Sequence, residues 1–150
     1  MSALTGQLTA QLTAQLAAKR AIGVYLKGRQ QLIVQLMQLS NAAEHNHGAQ
    51  TQIYLARFCQ TLVDYLSNGY FRIYGDLLSP RTWASPRVYA IFESTTSTAM
   101  TFNDRHTRNR AVDPASIRQE LTGVALALET RFELEDEMLS RSHEPQAMAV

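Results

Sequence analysis

The chain has 150 residues, 45% of them hydrophobic, and its 14 basic and 13 acidic residues leave a formal net charge of +1. This length suits one domain with its own core, and the near-neutral balance excludes the broad positive field of a typical nucleic-acid-binding protein. The N-terminus has neither the basic start of a signal peptide nor a continuous apolar run. We therefore expect a single cytoplasmic domain over residues 1–150, with no membrane span and no direct binding to nucleic acid.

The N-terminal segment carries a four-residue quasi-repeat, QLTAQLTAQLAA (7–18). It places three leucines one helical turn apart: Leu8, Leu12 and Leu16. An isolated helix of this length is marginal in water, so it needs a surface on which to pack. We predict a docked or partly frayed helical extension over residues 1–20, with an interruption near Gly23.

A second pattern predicts a helix over residues 21–39, and polar residues 40–50 are predicted to form a linker. The apolar residues of this helix that share one face are Ile22, Leu26, Ile33, Leu36 and Met37. Arg29 falls about 20° from the centre of the same stripe, where an unpaired charge would be costly to bury.

The helix that follows the linker is predicted to end near Leu78, and it includes RFCQTLVDYLSNGYFRIY (57–74). At 100° per residue its apolar stripe consists of Leu55, Cys59, Leu62, Leu66, Tyr70, Ile73 and Leu77. Phe71 lies about 140° from the centre of that stripe, and Asp64 about 160° from it. An aromatic side chain among polar groups on an outward face is typical of a protein-binding surface.

We therefore predict a partner-binding face on this helix, formed by Arg57, Gln60, Asp64, Ser67 and Phe71. The alternative, in which the N-terminal helix covers Phe71 and makes it part of the core, stays open.

Two more helices follow. The proline-containing loop SPRTWASPR (79–87) precedes a helix that starts at Ser85 and Pro86 and ends near Asp104. Asp113 is a natural N-cap with Pro114 in the first helical position, so a last helix is predicted from there to about Ser140. Residues 143–150 are predicted to form a loose tail. The inward residues of these two helices are Val88, Phe92, Thr95, Ala99, Phe102, Ile117, Leu121, Val124, Leu128, Phe132 and Leu139.

Four amphipathic helices without a convincing strand predict an all-α fold, an antiparallel four-helix bundle with an additional N-terminal helical segment. Within the last helix Glu135 falls on the apolar stripe set by Leu121, Leu128 and Leu139. We predict that Glu135 pairs with Arg29 across the bundle, because opposite charges in a core satisfy each other. The alternative is that both side chains reach solvent along their stems.

The sequence offers little chemistry for catalysis. His45 and His47 lie in the predicted linker, His106 in a loop and His143 in the tail, and none belongs to the Glu-x-x-His pairs of di-iron bundles. Cys59 is expected to be buried and unreactive, and no phosphate-binding loop or G-x-S-x-G motif is present. We therefore predict no enzyme activity, no catalytic residues, no cofactor and no metal site. A metal- or ligand-binding bundle is kept as the alternative from another functional class.

Several segments resemble signature segments of the Rsd/AlgQ family of bacterial anti-sigma factors. FCQTLVDYLSNGYFRIY (58–74) resembles the family's Phe-Cys-Gln-x-Leu-(Val/Leu)-Asp-Tyr-(Leu/Val)-Ser-Ala-Gly-His-Phe-x-(Ile/Val)-Tyr segment, and LETRFELEDEML (128–139) resembles its Leu-x-x-Arg-Phe-x-Leu-Glu-Asp segment. VYAIFESTTSTAMTFNDR (88–105) and LKGRQQLIVQL (26–36) are similar to two further segments, and all four occur in the family's order. The family's Asp-Arg-Trp is replaced by Gly23, Val24 and Tyr25.

This resemblance implies a helical bundle that binds the free primary sigma factor at its C-terminal, promoter-reading region and favours alternative sigma factors in stationary phase. It also implies that Asp64, Ser67 and Phe71 match the family's sigma-contacting helix. Some members bind a phosphocarrier protein of the sugar phosphotransferase system and a stringent-response enzyme, so a role as an adaptor in metabolic signalling is the alternative function.

Overall fold

The computed structural model of the chain describes residues 2–45, 47–68, 86–108 and 113–142. These residues form helices and no strand, which confirms the predicted all-α bundle. The helices are α1 (Ser2–Glu44), α2 (Gly48–Asn68), α3 (Pro86–Arg108) and α4 (Pro114–Ser142). Within these ranges no helix combines the length and apolar character needed to cross a membrane. The predicted tail, 143–150, and the predicted end near Leu78 of the helix that follows the linker lie outside the described residues.

The helices alternate in direction around the bundle. On α3, Arg87 contacts Glu137 of α4 at 3.4 Å. Further along α3, Arg105 contacts Glu120 of α4 at 3.0 Å, so these two helices run antiparallel. The short connection at residues 45–47 makes α1 and α2 antiparallel neighbours.

The first helix is continuous, and the interruption predicted near Gly23 is wrong. With 43 residues, α1 is about 65 Å long at 1.5 Å per residue. An isolated glycine is tolerated in a helix at a cost of about 1 kcal/mol relative to alanine, which the helix-forming residues around it can offset.

Among the described residues, no other helix lies beside the N-terminal extension, because α1 extends past the described ends of α2 and α4. Arg29 contacts Asp136, and antiparallel α4 ends only six residues later, at Ser142. Residues that precede Arg29 by more than about two turns therefore have no part of α4 beside them. The described side chains from Thr5 to Arg20 are all exposed.

The buried face of α1 differs from the predicted one. Leu26, Ile33 and Met37 remain 44%, 39% and 66% exposed, while Ile22 and Leu36 are only partly buried. The side that enters the core carries Tyr25, Leu32, Leu39, Ala42 and Ala43. Small residues favour this side because they allow a close approach between helices, as at Gly28, where an added Cβ would lie 3.7 Å from the Tyr65 ring.

The linker is shorter than predicted, since α1 continues to Glu44 and α2 begins at Gly48. The extra turn of α1 is stabilised by burial of Ala42 and Ala43. At the start of α2, the Thr51 hydroxyl donates to the His47 carbonyl at 2.6 Å.

The core predictions for the remaining helices are largely confirmed. Leu55, Cys59, Leu62 and Leu66 are buried, although the buried face of α2 also includes Phe58 and Tyr65. The other predicted members of this stripe lie outside the described residues: Tyr70, Ile73 and Leu77. The predicted inward residues of α3 and α4 are buried except Phe92 and Phe132, which are partly buried.

Local signals at helix starts are confirmed for α3 and α4. The former begins at Pro86, and the latter begins at Pro114 after the Asp113 cap. The Asp113 carboxylate accepts a hydrogen bond from the Ala115 amide at 3.2 Å. The helix α3 extends four residues beyond its predicted end near Asp104, so His106, which was predicted to lie in a loop, belongs to its last turn.

Candidate functional site

Four of the five predicted partner-binding residues form an exposed polar surface on α2. Arg57, Gln60, Asp64 and Ser67 are all exposed. The Gln60 side-chain amide donates to the Asp64 carboxylate at 3.3 Å. Phe71, the predicted aromatic anchor, lies outside the described residues.

The core side of α2 sets which way this polar surface faces. Phe58 and Leu62 are fully buried, and the Phe58 ring meets the Phe102 ring of α3 edge-on at 5.9 Å between centroids. Tyr65 is also buried, and it directly follows Asp64. Because successive helical residues are separated by 100°, anchoring Tyr65 inward keeps Asp64 at the surface.

Tyr65 takes part in a buried polar network that joins α1, α2 and α4. Its hydroxyl donates to the Glu135 carboxylate at 2.9 Å and accepts from Nε of Arg29 at 3.3 Å. The hydroxyls of Tyr25 and Tyr65 are hydrogen-bonded, and their rings stack with 5.0 Å between centroids. Three helices are therefore tied together through polar groups inside an otherwise apolar core.

The structure brings Arg29 and Glu135 together, with 3.7 Å between Nη2 and Oε1. Glu135 is 1% exposed and Arg29 12% exposed. The closest carboxylate to Arg29 is nonetheless that of Asp136, which accepts from Nη1 at 2.7 Å and is 60% exposed. The Arg29 guanidinium also lies over the Phe132 ring, 4.7 Å from its centroid.

Glu135 has a second basic neighbour, Arg131, which is also 1% exposed and one helical turn away on α4. Nε of Arg131 lies 3.7 Å from Oε2 of Glu135. Its Nη1 donates to the Thr96 hydroxyl at 2.6 Å, and its guanidinium covers the Phe92 ring at 4.3 Å from the centroid. Glu135 thus lies between two guanidinium groups, one from α1 and one from its own helix.

The electrostatic environment keeps Arg29 charged and the Tyr65 hydroxyl protonated. Burial alone would lower the pKa of Arg29, but hydrogen bonds with Tyr65 and Asp136 outweigh burial and raise it. Burial and the negative charge of Glu135 raise the pKa of Tyr65, so its hydroxyl keeps its proton and remains a donor to that carboxylate. Nη2 of Arg29 and Nε of Arg131 are buried without a hydrogen-bond partner, and both face Glu135.

A separate charged cluster joins the end of α3 to the start of α4. The Glu120 carboxylate contacts both Arg105 and His106. Burial alone would raise the pKa of Glu120, but hydrogen bonds from His106 and Arg105 lower it. The His106 ring also packs against Phe102, with 4.5 Å between centroids. This cluster holds the last turns of α3 against the first turns of α4.

The other reactive residue types lie in unreactive surroundings. Cys59 is 4% exposed, and burial raises the pKa of its thiol to about 11. His45 and His47 are exposed between α1 and α2. Within the ranges that the structure describes, no group of three or more His, Cys, Asp or Glu residues is arranged to hold a metal ion.

Sequence reasoning missed Tyr25, Tyr65, Arg131 and Asp136. A usable signal existed for Arg131, because it precedes Glu135 by four residues and falls on the same side of α4. The two tyrosines offered none, since nothing in a single helix pattern says which buried tyrosine hydroxyl meets a charge from another helix.

Comparison with known proteins relates the chain to bacterial sigma regulators. Residues 6–143 match the family model described as "Regulator of RNA polymerase sigma(70) subunit, Rsd/AlgQ". The chain is 38% identical over 95 residues to the "Regulator of sigma D" of Yersinia enterocolitica, covering 57% of this chain and 56% of that protein. Against the "Regulator of sigma D" of Pectobacterium atrosepticum it is 33% identical over 135 residues, covering 82% and 88% of the two chains. No solved structure matched the chain.

Proposed function

This chain belongs to the Rsd/AlgQ family of regulators of the RNA polymerase sigma(70) subunit, and we propose that it acts by binding the primary sigma factor through the outward face of α2. The observation that supports the surface is the exposure of Arg57, Gln60, Asp64 and Ser67 on one side of a helix whose other side is locked in the core. The alignment with the Yersinia protein spans little more than half of that relative's length, so the partner is part of the proposal.

Asp64 supplies the charge for this interaction. Among the described residues, its carboxylate accepts one long hydrogen bond, from Gln60 at 3.3 Å, whereas a carboxylate has capacity for about four. A basic side chain of a DNA-reading helix can therefore pair with Asp64 without breaking a strong contact. The proposed ligand is the C-terminal, promoter-reading region of sigma, whose DNA-contacting surface is expected to be basic because it binds negatively charged DNA phosphates.

The buried network supports this face from inside. Tyr65 is held by Glu135, Arg29 and Tyr25, and it neighbours Asp64 in the chain. We propose that the network fixes the rotation of α2 about its axis, so that the polar face keeps its direction when sigma binds. This role is structural and positions the binding residues without contacting the partner.

A chain that covers the promoter-reading region removes free primary sigma factor from the pool available to RNA polymerase. By mass action, alternative sigma factors then occupy a larger share of the polymerase. This sequestration, with its expected advantage in stationary phase, is the physiological part of the proposal. Adaptor binding to a phosphocarrier protein or a stringent-response enzyme stays a prediction from the family resemblance.

The test measures binding of the full chain to the purified C-terminal region of the primary sigma factor by calorimetry. Asp64→Ala should weaken binding, with a loss that shrinks as salt is added, because the contact is a screened charge pair. Phe71→Ala should cost about 2 kcal/mol, roughly thirtyfold in affinity, as expected for an aromatic anchor. Glu93→Ala, which removes an exposed acid from α3, is the matched control and should leave binding unchanged.

Two results would contradict the assignment. If Phe71→Ala lowers the melting temperature sharply and spares binding, Phe71 is part of the core. If Asp64→Ala and Glu93→Ala affect binding equally, the α2 face is not the sigma-binding surface.

A further inference from the structure

The solvent side of α1 carries an apolar stripe of the kind that helices normally bury. Its members, named here the outer stripe, are 39% to 66% exposed: Leu8, Leu12, Leu16, Leu26, Ile33 and Met37. From Leu12 to Met37 they fall on positions spaced alternately by four and three residues, with Lys19, Gly23 and Gln30 occupying the remaining positions. Alternating spacings of four and three are the pattern by which one helix packs along another.

The outer stripe continues into a groove between α1 and α4. The groove has a volume of about 750 Å³, and Met37 lies in its wall. On the opposite wall, Leu126 is 60% exposed, and Leu121 lies buried below it. An apolar surface that starts on one helix and widens into a groove can bind an amphipathic helix whose apolar side packs against it.

The charged residues of α1 that precede its last residue, Glu44, are all basic. No Asp or Glu occurs from Ser2 to Ala43, whereas Lys19, Arg20 and Lys27 are exposed within or beside the outer stripe. Arg29, the other basic residue of this segment, is already paired with Asp136 and Glu135. A second copy of α1 laid along the stripe would bring only positive charge against positive charge, and like charges across an interface cost several kcal/mol.

We propose that the outer stripe and the adjoining groove bind an amphipathic helix of a partner protein, with an apolar seam that packs on the leucines and acidic residues that pair with Lys19, Arg20 and Lys27. From Leu12 to Met37 the surface is about 37 Å long at 1.5 Å per residue, which matches a partner helix of about 25 residues. This surface is on α1, whereas the proposed sigma-binding residues are on α2, so the two proposals can fail independently.

The experiment uses the full chain and two synthetic amphipathic peptides of about 25 residues with the same leucine seam. One peptide has Glu at the flanking positions, and the other has Lys. Binding is measured by fluorescence anisotropy at low and at physiological salt. The Glu peptide should bind at least about tenfold more tightly than the Lys peptide, with a difference that narrows as salt is added.

Variants connect this binding to the outer stripe. Leu26→Ser combined with Ile33→Ser should weaken binding of the Glu peptide by about tenfold or more, since both substitutions remove apolar surface on which the leucine seam of the peptide packs. Val24→Ser is the matched control, because Val24 is 55% exposed but lies about 160° around the helix from Leu26. Lys19→Glu combined with Lys27→Glu changes only exposed charges and should abolish the preference for the acidic peptide.

Three outcomes would overturn the proposal. The first is equal binding of the Glu and Lys peptides, or a Leu26→Ser, Ile33→Ser variant that behaves like Val24→Ser. The second is a dimer in light scattering that the same two substitutions dissociate, which would assign the stripe to a second copy. The third is co-sedimentation with phosphatidylglycerol vesicles that is lost in the same variant, which would assign the stripe to a lipid surface.

Discussion

Glu135→Gln should destabilise the protein strongly, because it removes a charge from the centre of the bundle while preserving shape. Glutamine can still accept the hydrogen bond that the Tyr65 hydroxyl donates to Glu135 at 2.9 Å. It cannot compensate the guanidinium groups of Arg29 and Arg131, each 3.7 Å from a Glu135 oxygen. The substitution therefore isolates the electrostatic contribution from packing.

The size of the stability loss depends on which partners Arg29 and Arg131 retain in Glu135→Gln. Arg29 retains Asp136 at 2.7 Å, so its charge stays compensated. Arg131 is 1% exposed and would be left with the Thr96 hydroxyl and the Phe92 ring, neither of which is charged. Removing one partner of a buried pair commonly costs about 3–5 kcal/mol, and one uncompensated arginine places the expected loss near 3 kcal/mol. That is a large share of a typical stability of roughly 5–15 kcal/mol.

Urea unfolding, followed by circular dichroism, measures this loss. With a urea m-value of about 1–3 kcal/mol/M, a loss near 3 kcal/mol lowers the midpoint by about 1–3 M. Glu137→Gln is the matched control, since it is the same change on α4 at a residue that pairs with exposed Arg87 at 3.4 Å. Exposed pairs contribute at most about 1 kcal/mol, so this control should move the midpoint far less.

A double-mutant cycle with Arg29→Met separates the predicted pair from the rest of the network. Contacting charges should show a coupling of about 0.5–3 kcal/mol. A buried ion pair is contradicted if Glu135→Gln costs no more than Glu137→Gln, or if the effects of Glu135→Gln and Arg29→Met simply add. Either result would mean that solvent reaches these side chains and compensates them.

Three further predictions concern single groups. The pKa of the Glu120 carboxyl is lowered in the folded chain, so ionised Glu120 stabilises the fold above pH 4.5, the ordinary pKa of a glutamate. This stabilisation is lost as the pH falls through the lower pKa of the folded state. Glu120→Gln should therefore flatten the acid side of a plot of melting temperature against pH. The Cys59 thiol, with its pKa raised to about 11 by burial, should react very slowly with a disulfide reagent at pH 7 and rapidly once urea unfolds the chain, and fast reaction of the folded chain would contradict its burial. Asp113→Ala removes the acceptor for the Ala115 amide and should cost about 1 kcal/mol in urea unfolding, and an unchanged midpoint would show that this cap contributes nothing.

The features that sequence predicted correctly depend on neighbours in the chain. Asp113 followed by Pro114 starts α4 because a side-chain acceptor and a preset backbone angle act within one turn. The inward residues of α3 and α4 were identified because each of these helices has one dominant apolar side. The exposure of Asp64 and Ser67 follows from the same periodicity on α2.

The errors arise where a helix offers two apolar sides or where two local signals conflict. On α1, periodicity favoured the side of Leu26 and Met37, but the bundle buries the side of Leu32 and Leu39. Helical periodicity measures how apolar each side is and carries no information about which side fits a neighbour. Gly23 likewise weakens a helix without ending it, so the continuity of α1 depended on the residues around it.

The sequence alone predicts that this chain forms amphipathic helices, where the last two begin, which residues of α3 and α4 face inward, and that Glu135 lies on the buried stripe of α4. The packing of the helices determines which side of α1 is buried, that Arg29 pairs with Asp136 as well as with Glu135, and that Tyr25 and Tyr65 join the network around Glu135. The physical reason is the range of the interactions involved. Caps and periodicity act within a turn or two of one helix, whereas the partner of a buried charge is chosen by the packing of residues that lie 36 to 107 positions apart in the chain.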